Sequence, residues 1–243
     1  MTSLLQFCLD GIYPPRCALC GNIITPKGHL VCSDCALKVK LIEEPRCKCC
    51  SKPVESQEQE FCMDCAKRER TWFERGFALW HYSTVMQQSI AQFKYHHRKE
   101  YVRFYADSFV RAYGDMILAL DLDGFVPVPV HWTRYIQRGY NQAEVLARAI
   151  GRELDIPVYA DLLVRNKKTV AQKQLDSHQR SANLEGAFSF SHQWGNRTNG
   201  INKIMIIDDI YTTGATMNFC AKVLRQAGID QVYFGVLCIG AGY

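Results

Sequence analysis

No stretch of this 243-residue chain approaches the roughly 20 consecutive apolar residues that a membrane-spanning helix needs, so no membrane insertion is expected. Charge of one sign is also scarce. The 29 Lys and Arg face 24 Asp and Glu, a net +5 that permits an anionic ligand without announcing nucleic acid. The P-loop pattern GxxxxGKS/T does not occur, which removes that route to phosphate binding. The opening "MTSLLQFCLDGIYPPRC" lacks a basic start, and Asp10 interrupts its apolar run, so it does not read as a secretory signal. A cytoplasmic location with reduced thiols is the expectation. Disorder is argued against by content: 48% hydrophobic and 12% aromatic residues can fill a core.

Cysteine is abundant instead. Of twelve, nine lie between positions 17 and 65, with Cys8 just before them. They form an internal repeat: "CALCGNIITPKGHLVCSDC" supplies Cys17, Cys20, Cys32 and Cys35, and "CKCCSKPVESQEQEFCMDC" supplies Cys47, Cys50, Cys62 and Cys65. Two thiolates two residues apart curl into a knuckle whose sulfurs converge, and two knuckles make a tetrahedral four-sulfur shell for Zn2+. Gly21, just after the first knuckle, fits the turn such a ribbon needs. Segments this small draw their folding energy from the metal. Two disulfides per copy, or reactive thiols, are the alternative. The spacing leaves open whether each copy binds its own zinc or the knuckles interleave, and Cys49 is surplus. Residues 1–70 carry ten basic against nine acidic side chains, and eight thiolates with two zinc ions bring the segment to about −3. A scaffold or protein-contact module therefore fits it better than a phosphate binder.

From Trp72 onward the pattern changes. "FALWHYS" alternates like a strand, "GFVPVPV" is a short β-branched run, and "INKIMIIDDI" and "DQVYFGVLCI" are strongly apolar strands. Between them lie helical periodicities: two over residues 84–120, one over "NQAEVLARAIGREL" with Asn141 placed to cap it, and "GATMNFCAKVLRQAG" closed by Gly228. Strands alternating with helices predict an α/β fold, a parallel sheet covered by helices, over residues 71–243, preceded by the Cys-rich zinc-ribbon module of residues 1–70. Cys220 and Cys238 fall in a helix and a strand as small buried hydrophobes.

In such sheets ligands sit beyond the carboxyl ends of the strands. "KIMIIDDIYTTGATM" places Asp208 and Asp209 at one of those ends, directly before a small, hydroxylated turn that wraps the next helix N-terminus. Free backbone N–H groups and the helix dipole there favour a phosphate. Gly214 allows close approach, Thr212, Thr213 and Thr216 add hydroxyls, and Ala215 keeps the turn small. Both carboxylates are acceptors suited to the vicinal hydroxyls of a sugar, and both are expected to face that sugar and not the sheet. Together they describe a ribose 5-phosphate cradle. A Mg2+-holding acidic pair and a solvated acidic turn are the competing readings.

"IMIIDDIYTTGAT" resembles the phosphoribosyl pyrophosphate (PRPP) motif of type I phosphoribosyltransferases, with Tyr211, expected on the loop, where many members have a small aliphatic residue. "VPVPVHWTRYIQRGYNQAEVLA" and "NKKTVAQKQLDSHQRSANLEGAF" are similar to blocks of the ComF family, as is the position of the cysteine module. The resemblance implies a phosphoribosyltransferase fold, a role in bacterial DNA uptake, and glycosyl transfer from PRPP to an unspecified acceptor. It puts Asp208 and Asp209 at the ribose hydroxyls as catalytic residues and 212–216 at the 5-phosphate. Arg134, Arg138 and Gly139 fall at the pyrophosphate end, where Asn141 either joins them or only caps its helix. Arg165, Lys167, Lys168, Lys173 and Arg180 form a basic loop fit to close over a Mg2+-bridged diphosphate, or else a solvated surface loop. The competing class is a non-catalytic binding module that keeps the cradle and contacts single-stranded DNA or a partner such as a ComF-type helicase. For DNA the candidate set is Lys94, Arg98, Lys99 and Arg103, the 165–180 loop, and Tyr95 and Tyr101 for stacking.

Overall fold

The computed structural model describes residues 14–24, 28–167, 186–195 and 200–240. Two one-turn helices, α1 (Ser33–Ala36) and α2 (Met63–Ala66), belong to the cysteine segment. Strand β1 (Gly76–His81) follows, then helices α3 (Thr84–Tyr95) and α4 (Val102–Leu118). Next come β2 (Gly124–Pro127), α5 (Trp132–Arg138) and α6 (Gln142–Leu154). A two-stranded antiparallel ribbon, β3 (Leu163–Arg165) with β4 (Phe188–Phe190), precedes β5 (Lys203–Tyr211), α7 (Ala215–Gln226) and β6 (Gln231–Ile239). Among the described residues no helix is long and apolar enough to cross a membrane.

The main sheet runs in the order β1, β6, β5, β2, and every pairing in it is parallel. Burial on both faces explains why β5 and β6 read as continuous apolar runs. One face is covered by α3, α4 and α6, where Phe93, Tyr105, Phe109, Leu146 and Ile150 pack on Met205, Ile207 and Leu237. The other is covered by α7, whose buried stripe Met217, Cys220, Ala221 and Leu224 meets Ile204, Ile206 and Val236.

The cysteine segment is not set apart from this core. Cys17, Leu19 and Cys35 pack with the α3–α4 face, and Cys47, Cys50, Cys62 and Cys65 with the α7 face. Ser89, fully buried in α3, donates its hydroxyl to the Ala18 carbonyl. The backbone around residues 40–49 pairs along β1: Ile42 N–H bonds to Leu79 O at 3.0 Å and Gly76 N–H to Cys49 O at 2.8 Å.

Strand lengths position the site. β2 stops at Pro127, opposite Ile207, whereas β5 continues to Tyr211 alongside β6. Asp208 and Asp209 therefore lie inside β5, at the point where its β2 neighbour ends, and not at the strand's own terminus as the sequence suggested. Past that point β5 loses the β2 ladder but keeps the β6 one, so the extended conformation persists.

Candidate functional site

The two cysteine repeats fold alike, bond for bond. Cys17 N–H bonds to Asn22 O and Cys47 N–H to Lys52 O; Gly21 N–H returns to Cys17 O as Ser51 N–H returns to Cys47 O. The turn residue has positive φ in both, 76° at Gly21 and 65° at Ser51. In each repeat the four sulfurs lie within 4.8 Å of one another. Cys17, Cys20, Cys32 and Cys35 thus form one tetrad and Cys47, Cys50, Cys62 and Cys65 another, with no interleaving; Cys49 stands outside both.

Zinc fits these tetrads. Zn–S bonds of about 2.3 Å give a tetrahedron with edges of about 3.8 Å, and the sulfurs of Cys20 and Cys32 are 3.9 Å apart and those of Cys50 and Cys62 3.6 Å. Backbone N–H groups of Leu19 and Cys32 point at Cys17 Sγ from 3.4 Å, as donors to a thiolate do. Crowding splits the thiols: hydrogen bonds from Cys50, Cys62 and Cys65 hold Cys47 far below the ordinary thiol value, while Cys50 is driven up by Cys47 and Cys62. A divalent cation lets all four ionise together.

At the carboxyl edge of the sheet the acidic pair divides. Asp208 lies on the α7 side, where it is felt by Cys220 and Arg165; Asp209 lies on the α3 side. Asp209 is buried, with Lys94 Nζ donating to Oδ1 at 2.9 Å and lying 2.7 Å from Oδ2. The two carboxylates do not both face one sugar, because neighbours on a strand project to opposite sides. Asp208 is pushed up to about 7 by burial first and by the Asp209 charge second, against the pull of Lys94 and Arg165.

The turn after β5 is also built differently from expectation. Gly214 has φ 78° and stands at the N-cap of α7, where a glycine has no side chain with which to cap the helix. Gly214 is demanded by the protein's own packing, because a Cβ there would lie 2.1 Å from the Tyr211 hydroxyl and 2.6 Å from Arg68 Nη2. Thr212, Thr213, Ala215 and Thr216 are half-buried around it, and Thr213 Oγ1 is a buried polar atom without a hydrogen-bond partner. Tyr211 is not on the loop. It is a buried last residue of β5, stacked on Phe234 at 4.9 Å.

The basic residues fall into three groups. Arg138 is buried; Nη1 donates to Gln142 Oε1 at 2.8 Å, Nη2 to the Tyr95 hydroxyl at 3.2 Å, and Nε has no partner. Its charge reaches Lys94, so it flanks the Asp209 side of the site. Arg134 is half-buried near Arg165, whose guanidinium is lowered by burial and then by Arg134. Gly139, by contrast, is a left-handed stop to α5, and Asn141 caps α6, accepting from Ala143 N–H and donating to Val128 O at 3.1 Å each. Each has a structural part in the fold. Lys168, Lys173 and Arg180 of the basic loop lie outside the described residues. In the set suggested for DNA, Lys94 is committed to Asp209 and Tyr101 is 2% exposed, so neither offers a surface contact; Tyr95, Lys99 and Arg103 are exposed.

Comparison with known proteins bears on both halves. Residues 8–66 match the family model of the double zinc ribbon domain. The chain is 31% identical to Competence protein F of Haemophilus influenzae over 221 residues, spanning 89% of this chain and 93% of that one. It is 28% identical to Competence protein ComFC of Bacillus subtilis over 87% of its length and 72% of the relative's. A shorter match, 30% over 116 residues, covers about half of this chain and of the DNA utilization protein YhgH of Escherichia coli. The chain belongs to the ComF family. With the ribbon model matched and both tetrads at zinc geometry, the zinc of this ComF protein is structural.

The pairing of Lys94, read in the sequence as a surface cation, and the role of Arg68 escaped sequence reading. Lys94 sits 115 residues before its partner Asp209, and only the fold brings them together. Arg68 closes the second ribbon, and nothing in its local sequence points to the 212–214 turn that it bonds.

Proposed function

We propose that the protein binds PRPP at the β5–α7 turn and supports DNA uptake in natural competence, transferring phosphoribose to an acceptor. The observation that carries this reading is the uncapped N-terminus of α7 with the partnerless Thr213 Oγ1 beside it, next to a carboxylate, Asp208, that is only partly buried. Backbone N–H groups at a helix N-terminus on one side and an acceptor on the other suit a sugar phosphate. Asp208 would take the ribose hydroxyls. Asp209 would act through Lys94, holding an ammonium near the diphosphate, with Arg138 and Arg134 flanking it. Breaking the C1–O bond to diphosphate leaves an oxocarbenium-like carbon, and cations at the leaving group lower that barrier.

The names of the relatives, competence proteins and a DNA utilization protein, support the setting in DNA uptake. Among the described residues, groups of three or more potential metal ligands occur only as the cysteine tetrads. Asp208 and Asp209 do not chelate as a pair, so the Mg2+ of this proposal rides on the diphosphate of the substrate. Single-stranded DNA would be met by Tyr95, Lys99 and Arg103, and a ComF-type helicase is the protein partner proposed.

Titration calorimetry with Mg-PRPP tests the cradle. Asp208→Asn should weaken binding by about 1–3 kcal/mol, the worth of a hydrogen bond to a charged group. Unchanged affinity would remove the assignment. Pyrophosphate release with candidate acceptors and with single-stranded DNA then separates an enzyme from a binding module, and transformation frequency of an Asp208→Asn strain at normal protein level ties the cradle to uptake.

A further inference from the structure

Arg68 belongs to the second zinc ribbon but is bonded to the candidate phosphate turn. It follows α2 three residues after the ligand Cys65, and its backbone N–H returns to Cys65 O at 3.3 Å. Its side chain then crosses to the α/β domain. Nη2 donates to the Thr213 carbonyl at 2.7 Å and to the Tyr211 hydroxyl at 3.3 Å, and the guanidinium lies 5.5 Å from the Phe73 ring centre. The Cβ direction of Gly214 is filled by these same two groups. A second strap runs beside it: Trp72 N–H donates to Asn218 Oδ1 at 2.8 Å, and Asn218 Nδ2 donates to Arg70 O at 3.0 Å, in the first turn of α7.

A short turn that ends in a left-handed glycine has little of its own to hold it, since Gly214 loses more backbone entropy on ordering than any other residue type. A carbonyl that accepts from a charged guanidinium is held more strongly than by a neutral donor. Nη2 alone makes both bonds, while Nη1 is buried without a hydrogen-bond partner. The bond from Nη2 also turns the Thr213 carbonyl, an electronegative group, toward the ribbon and away from an anion.

We propose that Arg68 is a positioning residue through which the second zinc tetrad orders the 212–214 turn for an anionic ligand. Loss of zinc from Cys47, Cys50, Cys62 and Cys65 frees the segment that carries Arg68, and the turn loosens with it. The first tetrad, on the opposite face, has no such connection among the described residues. Use of the latch for a phosphate rests on the reading above; the latch itself is testable with no ligand present.

The test is Arg68→Met in the full zinc-loaded chain, read by metal content and backbone amide order parameters. Two zinc ions should be retained, and order parameters should fall from about 0.85 to below about 0.6 at residues 212–216 while β1 and α4 keep theirs. Arg68→Lys, which keeps the charge but not the planar guanidinium, should recover part of that order. Affinity for Mg-PRPP should drop at least about ten-fold, or about 1.4 kcal/mol, in Arg68→Met. Unchanged order at 212–216 overturns the proposal, and so does a uniform loosening of the whole sheet, which marks Arg68 as mere packing. If Arg68→Met does not fold, Arg68→Gln, with one donor nitrogen and no charge, is read in the same way. If the wild type binds no PRPP but the variant loosens only the turn, the phosphate reading falls and the latch stands.

Discussion

Replacing each of the two adjacent aspartates by asparagine should have opposite effects on stability. Asp209 is 5% exposed at its side chain and paired with Lys94, which is itself only 15% exposed. The substitution Asp209→Asn would leave that ammonium buried without a counter-charge, and breaking a buried pair from one side costs about 3–5 kcal/mol; the residual exposure of Lys94 favours the lower end. Asp208 makes no such ion pair among the described residues, and burial pushes it up to about 7 from 3.8. The native state therefore binds more protons than the unfolded chain between those values, and stability is lost as pH rises through that window. Three units at about 1.4 kcal/mol each would give an upper bound near 4 kcal/mol. Partial exposure and coupling to Asp209 reduce this, so Asp208→Asn should stabilise the protein by about 1–2 kcal/mol at pH 8. The advantage should shrink steadily below pH 7.

Thermal and denaturant unfolding of both variants beside the wild type, from pH 5.5 to 8.5 at fixed ionic strength and saturating zinc, reads this directly. Zinc loss at acid pH is common to all three proteins and cancels in the differences. If both substitutions destabilise by the same amount, or if the Asp208→Asn difference is flat with pH, the division of the pair across the sheet is wrong. The same asymmetry makes the single Asp208→Asn the informative allele for function, because the double variant confounds an emptied cradle with a stranded Lys94.

Other outcomes follow from the same geometry. Metal analysis should find about two Zn2+ per chain; Cys50→Ser should remove one and lower the melting temperature more than Cys20→Ser, because Cys50 is fully buried against the sheet and Cys20 is exposed. Gly214→Ala should cost about 1–3 kcal/mol from its positive φ and the Tyr211 contact, and Tyr211→Leu in the same chain should recover part of it in chemical denaturation. Weak, salt-sensitive binding of single-stranded DNA, followed by fluorescence anisotropy, should fall in Tyr95→Ala and Lys99→Ala, whereas Tyr101→Ala should destabilise the fold, since that ring is buried.

Periodicity exposed what local chemistry determines. The four strands of the main sheet and the helices α3, α4, α6 and α7 could be read from apolar spacing, and the Asn141 cap from one side chain before a helical stripe. Helix α5 was missed because its large residues face outward, Trp132 at 64% and Ile136 at 71% exposed, so no buried stripe advertises it after the Val-Pro-Val-Pro run. The division of Asp208 from Asp209 was legible in principle, since a strand has period two, but placing the pair at the strand's end with both carboxylates facing one sugar concealed it. Lys94 and Tyr101 looked like surface groups in a basic, aromatic stretch. Lys94 is covered through its pairing with Asp209 of β5, and Tyr101 lies with the first ribbon, its hydroxyl beside Gly21, which no local pattern reports.

The repeat in the cysteine segment has a consequence for the whole molecule. A four-stranded parallel sheet has two free edges, each a row of unpaired backbone groups. On the β2 side the chain pairs Phe125 with Val158, through Phe125 N–H to Pro157 O and Tyr159 N–H to Phe125 O. On the β1 side the cover is the zinc segment itself, in the bonds from Ile42 N–H to Leu79 O, His81 N–H to Lys40 O and Gly76 N–H to Cys49 O. Each tetrad also donates its sulfurs to a different face of the core. Metal-dependent folding of the ribbons is thus coupled to closure of one sheet edge and to both apolar layers. A boundary of few contacts near residue 70 is not found here, since Arg68, Arg70 and Trp72 make contacts with the 212–214 turn and α7. The ribbons therefore share the core of the sheet and would help to shape the cradle proposed above.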